Sequence, residues 1–265
     1  MQRMTTGLCL ILCLGLAIPD SYSRDRTLTT EEITQLKQAK NILLQTIALT
    51  EKGTAKTQHL QHVVSQRLQE LGFTTLQDAK APHDVIVKIK CEEQKTQLGP
   101  SRYGGDADSI HAPSRNWKGP ACQITYGLDG HDTAWRKEIR TEFNNARRAA
   151  RAARIKDSGD YALTQLTKIL EHDDFPYVLA AEWGQAERLS HILEKPSSPQ
   201  ELKLTIIALL GQIPGDETLP PLERALQDSS LAPAAAMAIG RQGERATNIL
   251  LSILQTAEDA TLKVS

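Results

Sequence analysis

The sequence predicts an α+β N-terminal domain with a small antiparallel sheet, followed by an all-α helical solenoid. Two observations carry this prediction. Apolar periodicity changes from 3.6 to 2 residues near position 73, and helix pairs recur about every 28 residues towards the C-terminus. The chain has 265 residues and is 40% hydrophobic, which is enough for one or two domains with apolar cores.

The first 23 residues have the features of a secretory signal peptide. An apolar run, GLCLILCLGLAI, covers residues 7–18, and a small polar stretch follows at 21–23. A run of twelve is too short to cross a bilayer, which needs about 20 residues. We therefore predict cleavage near Ser23 and no membrane span afterwards. A periplasmic or secreted location follows.

Two predicted helices begin the mature chain. Thr29 and Glu32 form a capping box before an apolar series, which predicts a helix over about 30–51. A second apolar stripe predicts a helix over about 56–71, ended by Gly72. On that helix His59 and His62 stand three residues apart, a spacing that suits a shared metal ion or simply a solvated face.

Four strands follow, the first a short one over 73–76, and two of the other three carry the remaining cysteines. Alternating apolar residues predict strands over 85–91, 122–128 and 134–143, the last two joined by a hairpin turn at Asp129-Gly130. If Cys91 lies opposite Cys122 in an antiparallel pair, the residue numbers of facing positions sum to 213 and every inward pair is apolar. This register predicts a disulfide, with two separate buried thiols as the alternative.

A predicted Ala/Arg helix over 144–155 leads to the C-terminal part. Its arginines suit either an acidic partner or a solvated face. The predicted division of the chain is a signal peptide at 1–23, an α+β domain at 24–157 and a repeat domain of about three helix pairs at 158–265. The arginines of the predicted helix over 144–155 are Arg147, Arg148, Arg151 and Arg154.

The repeats carry a resemblance to a known family. In two copies an apolar helix ends at Gly211 or Gly240 and a second helix follows, and a looser upstream copy has Gly184. With the runs ALLG, LPPL and AMAIG, residues 160–260 resemble the short HEAT-like repeats of bacteria. The resemblance implies a helical solenoid and a binding habit rather than an activity. The upstream copy departs from the pattern at Trp183.

The net charge of the chain and the absence of common enzyme motifs argue against several classes of function. The formal net charge of −1 provides no field for nucleic acid or anionic membranes. The sequence contains no Walker A, GxSxG, HExxH or CxxC motif. We therefore predict a binding protein rather than an enzyme, and no cofactor.

The run of residues 99–121 between the cysteines is the candidate binding site. It has no apolar period, and a long loop with fixed ends is usually functional. Mixed basic, aromatic and acidic side chains are typical of recognition loops. Three of these residues, Asp106, Asp108 and His111, are also weak candidate metal ligands, with a hydrated turn as the alternative. The candidate binding residues are Arg102, Tyr103, Asp106, Asp108, His111 and Trp117.

Together these features predict an exported, non-enzymatic protein-binding or scaffold protein. It would use the solenoid surface and the 99–121 run to bind another envelope protein. The alternative is a small-ligand or metal-binding protein, or an enzyme, with its site in the 99–121 run.

Overall fold

The computed structural model of this protein describes residues 28–97, 117–247, 249 and 251, so the predicted signal peptide lies outside the described residues. Within these ranges the chain forms a six-stranded mixed sheet and nine α-helices. The strands are β1 (Asn41–Thr50), β2 (Gly53–Thr54), β3 (Thr74–Leu76), β4 (Val85–Gln97), β5 (Trp117–Leu128) and β6 (His131–Arg140). The helices are α1 (Thr30–Gln38), α2 (Gln58–Glu70), α3 (Ala146–Ala152), α4 (Ser158–His172), α5 (Phe175–Glu182), α6 (Ala186–Glu194), α7 (Gln200–Leu210), α8 (Leu219–Ala225) and α9 (Ala232–Gly240).

The sheet has the strand order β2-β1-β4-β5-β6, and β3 pairs with the first residues of β1. Strand β1 runs parallel to both β3 and β4, whereas β4, β5 and β6 are antiparallel neighbours. Parallel strands need a long crossover, and α2 provides it. The sheet is therefore larger than predicted and mixed rather than antiparallel.

Strand β1 replaces the second half of the predicted helix over 30–51. The carboxylate of Asp84 accepts hydrogen bonds from the backbone N–H groups of Lys40 and Asn41, both at 2.8 Å, just after α1 ends. The following residues Ile42 and Leu43 point to opposite faces of the sheet and both are buried. An apolar run buried on both faces has no period of 2, which is why helical spacing fitted it equally well.

The antiparallel part of the sheet confirms the predicted register. Positions 86–92 of β4 face positions 121–127 of β5 with residue numbers that sum to 213 throughout. Cys91 lies opposite Cys122, and the two form a disulfide. The predicted hairpin turn is also confirmed, since Asp129 and Gly130 both have positive φ, as a type I′ turn requires.

One face of the sheet is covered by helices. Helices α2 and α4 pack against this face, with α4 crossing β1, β4, β5 and β6. The inward residues of the strands and the inward faces of the helices form one continuous hydrophobic core. The helices that follow α4 belong to the same core.

Helices α5 and α6 join the C-terminal part to the sheet layer. Trp183 is 1% exposed, and its ring makes edge contacts with Phe73 and Tyr126, each at 5.5 Å between centroids. The side-chain amide of Gln185 donates to the carbonyls of Leu36 and Ala39 at 2.7 and 3.0 Å. These contacts fix the end of α1 against α6.

The predicted fold class is therefore wrong. The described residues form a mixed six-stranded sheet with strands interspersed among helices, and the later helices share one continuous core with the sheet instead of forming a separate all-α solenoid. Trp183 of the first predicted repeat contacts the aromatic residues Phe73 and Tyr126. The repeat periodicity does not predict this long-range contact. The predicted boundary between 157 and 158 falls at the start of α4.

The helix pairs themselves begin and end near the predicted glycines. Gly211 ends α7 where this helix approaches α9: a Cβ at Gly211 would lie 2.8 Å from the Cβ of Ala238. A glycine is needed at this position because the two helices approach so closely. The HEAT-like resemblance stays a prediction.

Because the phenol of Tyr126 is buried, the free energy of unfolding decreases at alkaline pH. Its Oη donates to Oε1 of Glu182 at 3.1 Å, and burial followed by the Glu182 charge raises the pKa of Tyr126 above its ordinary value of 10.0. The unfolded chain then loses this proton first. The associated stability is complete below pH 10 and is lost as pH rises further, by at most about 1.4 kcal/mol per pH unit.

We expect the difference in free energy of unfolding between wild type and Tyr126→Phe to shrink between pH 9 and pH 11. Urea titrations at a series of pH values measure it. A difference that stays constant over this range would show that the phenol has an ordinary pKa.

Candidate functional site

Most of the predicted site residues lie outside the described residues. This holds for Arg102, Tyr103, Asp106, Asp108 and His111, so their roles stay predictions. Trp117 is the first residue of β5, and only its backbone pairing, with Gln97 of β4, is described. Cys91 and Cys122 are both in the described ranges and form the predicted disulfide.

A bulge follows the disulfide on β4. The register shifts between Glu92 and Lys95, so that residue numbers of facing positions sum to 214 at Lys95 and Gly119. A bulge bends its strand and changes the direction of its side chains. Glu93, the inward position that follows Cys91, lies inside this bulge.

Glu93 is a buried acid at the end of an apolar series. It is 5% exposed, and its Oε2 accepts a hydrogen bond from the backbone N–H of Glu51 at 2.9 Å. Among the described residues Oε1 of Glu93 has no hydrogen-bond partner, although it is buried. A buried carboxylate oxygen in this condition costs free energy until a donor or cation reaches it.

The first turn of α4 lies against this carboxylate. A Cβ at Gly159 would be 2.6 Å from Cγ2 of Thr50 and 3.2 Å from Oε2 of Glu93, so the absence of a side chain allows the close approach. The N-terminal end of a helix carries partial positive charge, which favours an ionised carboxylate beside it. The fold therefore holds Glu93 in place from two sides, the β1–β2 turn and α4.

A polar cleft of about 200 Å³ lies beside Glu93. It is bounded by the turn after β1, the bulge of β4 and the segment that enters α3. Its position at the disulfide end of the sheet places it beside the stems of the strands that residues 98–116 connect. The lining residues are Glu51, Glu93, Gln94, Asn144, Asn145, Ala146 and Arg147.

The charges around the cleft are partly paired. Nε of Arg147 donates to Oε2 of Glu51 at 2.8 Å, and the exposed Lys52 forms an ion pair with Asp157 at the start of α4. The Asp157 hydrogen bond and charge raise the pKa of Lys52, and the same contact lowers the pKa of Asp157. Two carboxylates and one guanidinium line the cleft, which leaves one net negative charge.

The predicted Ala/Arg helix contributes one arginine to an ion pair within the fold. All four arginines are exposed, and among them Arg147 of α3 forms an ion pair with Glu51. Asn145 caps the helix by accepting from the backbone N–H of Arg148 at 2.9 Å. Both interpretations of the arginine run, an acidic partner or a solvated face, stay open for Arg148, Arg151 and Arg154.

Sequence reasoning missed Glu93, although a signal was present. Val85, Val87, Ile89 and Cys91 were predicted to face inward, and the next inward position of the same strand is Glu93. A charged residue at an inward strand position marks either the end of the strand or a site. Glu51, Asn144 and Arg147 reach the same place from distant parts of the chain, which periodicity does not predict.

Metal binding has no support within the described ranges. There, no group of three or more His, Cys, Asp or Glu side chains is arranged to hold a metal ion. His59 and His62 are both exposed on the polar side of α2. The weak candidate ligands Asp106, Asp108 and His111 lie outside the described residues.

Comparison with protein-family models and with curated proteins gives no match to this chain. The helices in the described part of the chain include none with the length and apolar character needed to cross a membrane.

Proposed function

We propose that this protein is an exported, non-enzymatic binding protein that holds another envelope protein at the disulfide end of its sheet. The observation that carries the proposal is the polar cleft of about 200 Å³ between the β4 bulge and the entry to α3. Structural disulfides persist in oxidising compartments, so the Cys91–Cys122 bond supports an extracytoplasmic location. The predicted signal peptide supports the same location.

The disulfide gives the binding end a fixed frame. Only the pair of Glu92 and Ala121 separates the disulfide from the bulge, so β4 and β5 cannot separate at this end of the sheet. Binding surfaces on fixed elements lose less entropy when the partner docks. The predicted recognition run 99–121 lies between the two cysteines, and its residues 117–121 belong to β5 rather than to a loop.

A position-specific crosslink tests this proposal. A photoreactive amino acid at Gln94, which is exposed and lines the cleft, is expected to give an adduct with an envelope protein in intact cells. The matched control carries the same group at Asp129, an exposed residue in the turn at the other end of β5. Excess unlabelled protein should abolish the Gln94 adduct. No Gln94 adduct, or equal adducts at both positions, would contradict the proposal.

A further inference from the structure

We propose that the cleft binds one cationic side chain, a lysine ammonium or an arginine guanidinium, and that Glu93 recognises it. This inference rests on the proposed function, because it names the group of the protein partner that enters the cleft. It starts from the carboxylate of Glu93, which is 5% exposed, has one oxygen bonded to the N–H of Glu51 and leaves buried Oε1 without a partner among the described residues.

A cation is the group that this carboxylate lacks. A buried charge is tolerated when it is paired. Arg147, the cation in the lining, is bonded to Glu51. The exposed Lys52, whose charge also acts on Glu93, forms its ion pair with Asp157. Hydrogen bonds between a carboxylate and an ammonium or guanidinium are about twice as strong as neutral ones. The net negative charge of the lining repels an anionic ligand.

The size of the cleft favours the end of a side chain. A volume of about 200 Å³ is several times the space of one water molecule, about 30 Å³. It is also smaller than the 300–1,000 Å³ typical of pockets for drug-sized molecules. An ammonium or guanidinium with its neighbouring methylene groups fits this range.

The amides around the cleft can complete the recognition. Asn144 and the exposed Gln94 line the cleft, and an amide side chain carries a carbonyl oxygen that can accept a hydrogen bond from a cationic donor. A divalent metal ion would need more carboxylate or imidazole ligands than the two carboxylates here, and the described residues hold no such group. An organic cation therefore fits the lining better than a metal ion.

The experiment titrates the full chain with the peptide acetyl-Gly-Lys-Gly-amide and follows the ¹⁵N-labelled amide of Glu51, which donates to Glu93. We expect this resonance to shift with the lysyl peptide and with its arginyl equivalent. The peptide with Nε-acetyl-lysine should bind at least about tenfold more weakly, which corresponds to about 1.4 kcal/mol.

Two variants assign the effect to Glu93. Glu93→Gln keeps the shape but removes the charge, and we expect at least about tenfold weaker binding of the lysyl peptide. Glu92→Gln is the matched control, because Glu92 lies one residue earlier, points to the other face and pairs with Lys90. It should leave the affinity unchanged. If Glu93→Gln does not fold, the affinities of the wild-type protein for the lysyl and acetyl-lysyl peptides still test the inference.

Several outcomes would overturn the inference. These are equal binding of the lysyl and acetyl-lysyl peptides, unchanged binding in Glu93→Gln, or saturable binding of Ca²⁺ that displaces the peptide. If the Gln94 adduct forms while the lysyl peptide fails to bind, this inference fails and the proposed function stands. If neither occurs, both fail.

Discussion

Replacing Trp183 with alanine is expected to lower the free energy of unfolding by about 3–5 kcal/mol, the cost of removing a large buried aromatic side chain. Trp183 is 1% exposed and contacts Phe73 and Tyr126 by its ring edges. It thus fills the space between the α2–β3 segment, the centre of the sheet and the end of α5. The cavity left by alanine would separate these three elements.

Urea unfolding measures the effect, and two further variants calibrate it. Trp183→Phe should cost less than half as much, because it keeps an aromatic ring and removes an indole N–H that has no partner among the described residues. Trp135→Ala, at a half-buried position of β6, should also cost less. A loss below about 1 kcal/mol in Trp183→Ala would contradict the packing described, since that is the average effect of any substitution.

Removing the disulfide is expected to cost about 3–4 kcal/mol, the chain-entropy value for a loop of this length. The bond joins residues 31 positions apart, and both sulfurs lie in the hydrophobic core. In a chain of this size the loss corresponds to a decrease in Tm of roughly 10 °C. The double variant Cys91→Ala, Cys122→Ala, compared with wild type in calorimetry, measures it.

The reduced wild-type protein serves as the control for this variant. Reduction removes the crosslink but keeps both side chains, so any difference between reduced wild type and the double variant reports packing alone. We expect the crosslink to account for most of the loss. An unchanged Tm after reduction would mean that the hairpin stems are held by the sheet without it.

The sequence allowed the antiparallel pairing of β4 with β5 to be predicted with its register. Strands β4 and β5 each have one face in the core, so their alternation fixed the faces and, with the two cysteines, the register. Strand β1 could not be recognised in this way, because Ile42 and Leu43 are buried on opposite faces. Without β1 the parallel pairing, and hence the mixed sheet, was missed.

The candidate site was predicted only in part. The disulfide and its position at the end of two strands follow from local patterns, and the alternation of β4 extends to Glu93. The cleft itself depends on Glu51, Asn144 and Arg147, which come from separate segments brought together by the sheet and by α3. Such convergence is a property of tertiary structure and leaves no periodic trace in the sequence.

The bonds of Gln185 have a consequence for the order of folding. They join this residue to carbonyls that lie 149 and 146 positions earlier in the chain. Contacts between such distant positions slow the folding reaction, because the intervening chain must be ordered first. During synthesis they cannot form until residue 185 has been added. The apolar surface around α1 and Phe73 therefore stays uncovered until late in synthesis.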